Sequence, residues 1–245
     1  MDSKSIACHQ PNFLPWLGYF AKIFHADVFL LLDDVQFTQG HGKHNWTTRV
    51  RILTQSGPHW LSVPVKRTGK GKQLINEVKI DTADKRWLRK TLLTVEQSYR
   101  KTKYFEQYYD GLKEILAEGH EFIAELNIKL VMWLIDILGI SAKTHRSSDF
   151  SVTSASNQRL VDLTKSVGGR VYLSGDGADD YQLEDEFRKN DINLQKIGFQ
   201  HPVYEQIHGS KFIPGLSSID ALFNIGTEAT HNLLASSKRA VDPRL

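Results

Sequence analysis

Three short polar clusters in this sequence contain the residue types that proton transfer and ligand binding require. Each cluster directly follows a short apolar segment of the kind that forms a buried strand. In open α/β sheets, ligands bind beyond the carboxyl ends of the strands. The sequence therefore predicts a site where the three clusters meet. They supply His9, Gln10 and Asn12, then Asp33, Asp34 and Gln36, and finally Ser174 and Tyr181.

His9, Asp33 and Asp34 are the candidate catalytic residues. An imidazole after a strand end can act as a general base or hold an anion. A carboxylate beside His9 is expected to raise the pKa of the imidazole and to orient its ring. The aspartates alternatively form a turn or a helix cap, or hold Mg²⁺ on a nucleotide diphosphate. Cys8 and His9 are neighbours in a strand and point to opposite faces, which excludes a thiol–imidazole dyad.

Further polar side chains are predicted to contact a substrate. A basic loop at residues 66–72 contains four cations and two glycines and can embrace phosphates, although its spacing is not that of a P-loop. His41 and His44 lack a third ligand nearby, so no metal site is predicted there. For the loop residues the alternative is a solvated connection. The predicted substrate-binding residues are Gln10, Asn12, Gln36, Asn45, Arg49, Lys66, Ser174, Tyr181, His201 and Tyr204.

The hydrophobic pattern predicts an α/β fold with a parallel, Rossmann-like sheet. Residues 5–8, 28–32 and 170–173 are expected to form parallel strands, because a fully apolar strand is buried on both faces. Other predicted strands cover residues 49–53, 60–65, 75–80, 141–145 and 192–199. The first predicted helix starts near residue 16. Further helices are predicted over residues 84–98, 104–118, 121–138, 156–167, 218–224 and 227–236. One domain is expected over residues 1–237, mainly helical from about 84 to 140, with a flexible tail at 238–245.

Composition excludes several classes of protein. Hydrophobic residues make up 40% of the 245 residues and charged residues 24%, which excludes a disordered or fibrous chain. The net charge of +3 is too small for a typical nucleic-acid-binding protein. A single cysteine excludes an intramolecular disulfide. The longest apolar stretch, residues 128–140, is short and contains two charges, and no signal peptide precedes it. We expect a cytoplasmic protein that binds no nucleic acid and does not insert into membranes.

Several motifs together resemble the WbqC-like family over nearly the whole chain. They include H-Q-P-N-F at residues 9–13, L-G-Y-F at 17–20, D-D-V-Q-F at 33–37 and W-L-S-V-P-V at 60–65. Others are Y-L-S-G at residues 172–175, P-x-Y-x-Q at 202–206 and L-S-S-I-D at 216–220. The resemblance implies a bacterial, enzyme-like protein encoded in O-antigen, other glycan or specialised-metabolite gene clusters. It does not supply a reaction.

The opening of the chain is also similar to that of nucleotidylyltransferase-type folds, especially pantothenate synthetase. Those proteins place H-x-G-H at the first helix N-terminus, where it binds ATP phosphates. Here the corresponding residues are Trp16, Leu17, Gly18 and Tyr19, so the glycine is kept and both histidines are replaced. The helix N-terminus can still receive an anion. Adenylate formation by that route is not expected.

Two function classes follow from these observations. The first is a transferase of polysaccharide biosynthesis that moves an acyl or aminoacyl group to the amino group of a nucleotide- or carrier-linked sugar. The second is a non-catalytic ligand-binding or scaffold protein of the same pathway. A metal-dependent glycosyltransferase using Asp33 and Asp34 is a third interpretation, although the chain has no Asp-x-Asp motif. The cofactor, the donor and the acceptor stay open, with a nucleotide sugar as one candidate substrate.

Overall fold

A computed structural model describes residues 3–38, 45–66, 72–83, 86–175, 184–208 and 211–237. Its main feature is a five-stranded sheet in which every pair of neighbours is parallel, which confirms the predicted α/β class. Within these ranges, the strands in chain order are β1 Ser5–His9, β2 Val28–Leu31, β3 Arg49–Thr54, β4 Gly57–Ser62, β5 Lys143–Arg146, β6 Val171–Ser174 and β7 Asn193–Lys196. The order in the main sheet is β5-β2-β1-β6-β7.

The inner strand β1 is buried between two neighbours. Ile6 pairs with Val28 of β2 on one side and with Tyr172 of β6 on the other. All four residues of β2 are buried, as the unbroken apolar run predicts. The predicted parallel arrangement of these three strands is confirmed.

Helices cover both faces of the sheet. They are α1 Leu17–Phe24, α2 Arg86–Tyr99, α3 Phe105–Ala117, α4 Ile123–Ile137, α5 Ser156–Ser166, α6 Glu184–Arg188 and α7 Ser218–Ser236. The larger core combines Ala7 and Phe29 of the sheet with apolar residues of α1, α4 and α7. The smaller core combines Ile6 and Val28 with α5 and α6. Because side chains alternate along a strand, those of the odd-numbered residues of β1 face α1 and those of the even-numbered residues face α5.

The connections change sides between the two halves of the sheet. The chain passes from β1 to β2 through α1 on one face, and from β5 to β6 through α5 on the other. Strands β1 and β6 are neighbours at the point where the strand order reverses. This is the topological switch point, where open α/β sheets bind their ligands.

The middle of the chain adds a hairpin and three helices to the larger core. Strands β3 and β4 pair antiparallel around residues 55–56, so the turn is tighter than predicted and Gly57 already belongs to β4. The predicted strand at residues 75–80 is wrong, because Ile75–Glu77 form a 3-10 turn. Its alternating apolar residues are still buried, and isolated bridges join Val65 to Ile80 and Lys79 to Phe122.

The C-terminal helix α7 bends at Gly226, whose φ of 76° interrupts the helical geometry. The two helices predicted on either side of this glycine are thus joined across a kink. Residues 238–245, the predicted tail, lie outside the described residues. Within the described ranges, no helix is long and apolar enough to cross a membrane.

Candidate active site

The switch point lies between the carboxyl ends of the neighbouring strands β1 and β6. We call this region the β1–β6 crevice and define it by His9, Lys22, Ser174 and Gly175. His9 is the last residue of β1 and Ser174 the last of β6. Lys22 lies on α1, and its Cδ is 3.9 Å from the position that a Cβ on Gly175 would occupy. Of the three polar side chains of the crevice, the sequence predicted His9 and Ser174 as site residues but not Lys22.

His9 is held in one orientation by its neighbours. Its Nδ1 lies 3.1 Å from the carbonyl oxygen of Gln10, which also accepts a 3.1 Å hydrogen bond from the Tyr19 hydroxyl. A carbonyl only accepts, so Nδ1 carries the hydrogen and Nε2 has the lone pair. The imidazole meets the Tyr19 ring edge-on, at 4.8 Å between centroids, and the Trp16 ring at 6.0 Å. This arrangement selects the tautomer that a general base needs.

The pKa of His9 differs from the sequence-based expectation. Burial and then the nearby Lys22 ammonium together lower this pKa to about 3, and the hydrogen bond to the Gln10 carbonyl opposes part of the change. The expectation that a carboxylate would raise the pKa of His9 is therefore wrong. The imidazole faces α1, so its surroundings are aromatic rings and a cation. His9 is neutral at physiological pH.

Asp33 and Asp34 are bound to residues beyond β5 and on α5. The buried Asp33 accepts from the backbone N–H of Ser148 at 3.1 Å and from its hydroxyl at 2.8 Å. Asp34 accepts from both the Ser147 hydroxyl and Arg159, whose Nη2 lies 2.6 Å from each carboxylate oxygen. Arg159 belongs to α5, on the face opposite His9. These contacts join β2, β5 and α5, and they do not support a shared role with His9 or a Mg²⁺ site.

Lys22 is the functional candidate that sequence reasoning missed. It is only 7% exposed, although it is the last-turn cation of a short amphipathic helix. Burial lowers its pKa to about 8, a value that already includes the opposing effect of Cys8. Helical side chains point back towards the helix N-terminus. The Lys22 side chain therefore extends towards the carboxyl edge of the sheet.

The four predicted amides have different environments. Asn12 is buried, and its Nδ2 has no hydrogen-bond partner within the described part of the chain. Asn45 is buried as well. Gln10 is half-buried in the loop after β1, next to His9. Gln36 is exposed and forms an isolated bridge with Leu74, away from the crevice.

Arg49 belongs to an aromatic surface on the β3–β4 hairpin. Its Cζ lies 4.3 Å from the centroid of Trp60, which is 38% exposed. Trp46 connects this surface to the crevice, with centroids 5.8 Å from Trp60 and 5.3 Å from Trp16. A continuous row of rings therefore extends from His9 to the hairpin.

Two other predicted contacts are Ser174, which belongs to the crevice, and Lys66. Ser174 is buried, and its hydroxyl donates to the Gly175 carbonyl at 3.1 Å. Lys66 is exposed at the end of the described part of the basic loop, and its backbone N–H donates to Lys79. Residues 67–71, Tyr181, His41 and His44 lie outside the described residues.

The segment after β7 covers the N-terminus of α1. A Cβ on Gly18 would lie 2.7 Å from the Phe199 ring, so only glycine permits this contact. The exposed His201 packs edge-on against Phe199 at 5.1 Å, and burial and then Arg51 lower its pKa. This ring occupies part of the space in which the helix N-terminus was expected to receive an anion.

Tyr204 anchors that segment. Its hydroxyl donates to Asp220 Oδ2 at 2.8 Å, and Gln206 donates to the same oxygen at 3.0 Å. The Tyr99 hydroxyl donates to Oδ1 at 2.7 Å. Burial raises the pKa of Asp220, and these three donors oppose the rise. The contacts give Tyr204 a positioning role, since its hydroxyl is engaged with α7.

Comparisons with known proteins find sequence similarity over most of the chain. A family model described as WbqC-like protein family matches residues 10–232. The "Uncharacterized protein Rv1507c" of Mycobacterium tuberculosis is 34% identical over 228 residues, which cover 92% of this chain and 96% of that protein. His9 immediately precedes the matched region, and Lys22, Ser174 and Gly175 lie inside it.

Proposed function

The chain belongs to the WbqC-like protein family, and from that premise we propose that it is a transferase of bacterial surface-glycan biosynthesis. The proposed reaction moves an acyl or aminoacyl group to the amino group of a nucleotide- or carrier-linked sugar. The observation that carries this proposal is the orientation of His9 at the switch point. Its Nδ1–H donates to Gln10, which leaves the lone pair on Nε2.

In this reaction the amine nitrogen attacks the carbonyl carbon of an activated acyl donor, such as a thioester. The new C–N bond replaces the C–S bond, His9 Nε2 accepts the proton lost by the nitrogen, and that proton passes to the leaving thiolate. A pKa of about 3 keeps the lone pair unprotonated but makes it a weak base. An anionic substrate near the crevice would raise this pKa, because it offsets the effect of Lys22.

Buried polar groups near His9 support a ligand in this position. The Asn12 amide has a donor without a described partner, and a buried donor left in that state costs about 1–3 kcal/mol. A ligand carbonyl or hydroxyl would satisfy it. Arg49, together with the row of tryptophans, offers a charge and ring faces at the outer end. Such a surface suits a sugar or nucleobase that carries a phosphate.

Product formation tests the proposal directly. The protein is incubated with amino-sugar nucleotides and with acyl-thioester or aminoacyl donors, and products are identified by mass spectrometry. His9→Ala is expected to lower the rate about 10²- to 10⁴-fold, as for loss of a general base. His59→Ala is the matched control, because His59 is an exposed histidine on β4. Equal rates for the two variants would refute the role of His9.

A non-catalytic ligand-binding protein is the second candidate. The contact between Phe199 and Gly18 favours it, because the ring packs at the N-terminus of α1, the position at which the nucleotidylyltransferase-type folds that the sequence resembles bind phosphates. A sugar nucleotide that binds the wild type and His9→Ala equally well, with no product from any donor, would support this candidate and contradict the transferase.

A further inference from the structure

Lys22 is unusual among lysines because its side chain is almost fully buried. Fully buried lysines are rare unless they are paired. Lys22 is 7% exposed, and it makes none of the ion pairs recorded within the described ranges. Within the described residues, Cys8 of β1 influences the pKa of Lys22, and Lys22 in turn lowers the pKa of His9 on the same strand. Neither Cys8 nor His9 is an anion at neutral pH, because burial raises the pKa of Cys8 to about 12.

The geometry brings the ammonium to the ligand side of the sheet. The Lys22 stem passes beside Gly175, the first residue after β6. Tyr19, one turn earlier on α1, packs against His9. Residues three apart on a helix share a face, so Lys22 lies on the side of α1 that borders the crevice.

We propose that the Lys22 ammonium binds an oxyanion, a phosphate or a carboxylate, of the ligand that enters the β1–β6 crevice. This inference deepens the proposed function and rests on the same site. An oxyanion supplies the negative charge that no ion pair recorded within the described ranges gives to this ammonium, and the contact is a charge-assisted hydrogen bond. Gly175 has no side chain, which lets a ligand approach the backbone there.

Binding at Lys22 would also change His9. The ammonium disfavours protonation of the imidazole, and a bound oxyanion cancels that effect. The pKa of His9 therefore rises when the ligand is present, and Nε2 becomes a stronger base. Substrate binding and activation of the base are coupled through Lys22.

The test measures anion binding and the titration of His9 in the whole protein. Inorganic phosphate or trifluoroacetate, both of which stay ionised at the pH where His9 titrates, is added at constant ionic strength, with chloride as the reference anion. Dissociation constants come from calorimetry, and the pKa of His9 comes from its imidazole ¹³C resonance. Lys22→Met keeps the length of the side chain without the charge. Lys79→Met is the matched control, because Lys79 is exposed and pairs with Glu121 at 2.5 Å.

We expect at least one anion to raise the pKa of His9 by about one unit or more in the wild type and in Lys79→Met. In Lys22→Met the dissociation constant should rise at least tenfold, and the response of His9 should vanish. Phosphate acting alone indicates a phosphate-bearing ligand, and trifluoroacetate acting alone indicates a carboxylate. Thermal unfolding confirms that Lys22→Met is folded.

Two results would overturn the inference. One is binding of both anions by Lys22→Met with unchanged affinity. The other is a wild-type protein that responds to neither anion, as expected if Lys22 pairs internally. The transferase can fail separately, since anions that bind at Lys22 without product formation contradict only the reaction. Conversely, product formation by Lys22→Met with an unchanged KM contradicts only the anion site.

Discussion

Replacing Asp34 by asparagine is expected to destabilise the protein without a direct effect on chemistry. The change removes the carboxylate that Arg159 contacts through both oxygens at 2.6 Å. Breaking a buried ion pair costs about 3–5 kcal/mol. The side chains of Arg159 and Asp34 are 12% and 20% exposed, so we expect a smaller loss, about 2–3 kcal/mol in the free energy of unfolding. For a chain of this length, that lowers Tm by about 4–12 °C.

Chemical denaturation with a double-mutant cycle measures this effect. Arg159→Met alone and the double variant isolate the pair, and we expect a coupling energy of about 2 kcal/mol. Asp185→Asn is the matched control, because the Asp185–Arg188 pair is at least 70% exposed on both sides. Its effect should be under about 0.5 kcal/mol. The reasoning is refuted if Asp34→Asn keeps the wild-type stability yet abolishes turnover, since Asp34 would then act in the chemistry.

Three further predictions concern the backbone, a buried amide and pH. Gly226→Ala forces a Cβ to within 2.8 Å of the Tyr104 ring at a φ of 76° and should cost about 3 kcal/mol by calorimetry. Gly119→Ala, with a φ of 80° and no neighbour within 4 Å, should cost only about 1–2 kcal/mol, and equal losses would contradict the clash. Asn127→Leu removes two 2.8 Å hydrogen bonds to backbone carbonyls and should cost about 2–4 kcal/mol in urea unfolding; an unchanged midpoint would contradict this. Finally, stability should fall as pH drops from about 6.5 to about 3, because the unfolded chain takes up a proton that the folded His9 does not. His9→Asn should lose less stability over that interval, and identical pH profiles would exclude the buried neutral imidazole.

The sheet could be predicted because its signals are local. The strand β2 is an unbroken apolar run that ends in two aspartates, and burial on both faces is the only common use of such a run. The predicted ends of β1 and β6 likewise identified His9 and Ser174 as candidate site residues. The strand predicted at residues 75–80 is wrong. The segment alternates like a strand, but a 3-10 turn and isolated bridges bury its apolar residues.

The parts that could not be predicted depend on distant residues. Lys22 follows the pattern of a solvent-facing cation in the last turn of a helix, and its burial involves Gly175, far along the chain. The sequence predicts Asp34 as a catalytic carboxylate but not its ion pair with Arg159, which is 125 residues away. The hydrogen bond from Tyr204 to Asp220 could not be predicted either, because Asp220 is buried at the start of α7. Pairings of this kind are set by tertiary packing, which single-sequence periodicity does not encode.

The central place of β1 has a consequence for synthesis on the ribosome. Ser5 pairs with Val171, which is made 166 residues later. At about 5–20 residues per second, one edge of β1 waits roughly 8–33 s for its neighbour. During that interval an apolar strand with unpaired backbone groups is a template for pairing with other chains. The nascent chain is therefore expected to need protection by a chaperone until β6 has emerged, and destabilising changes in β6 should lower the soluble yield more than equal changes in α7.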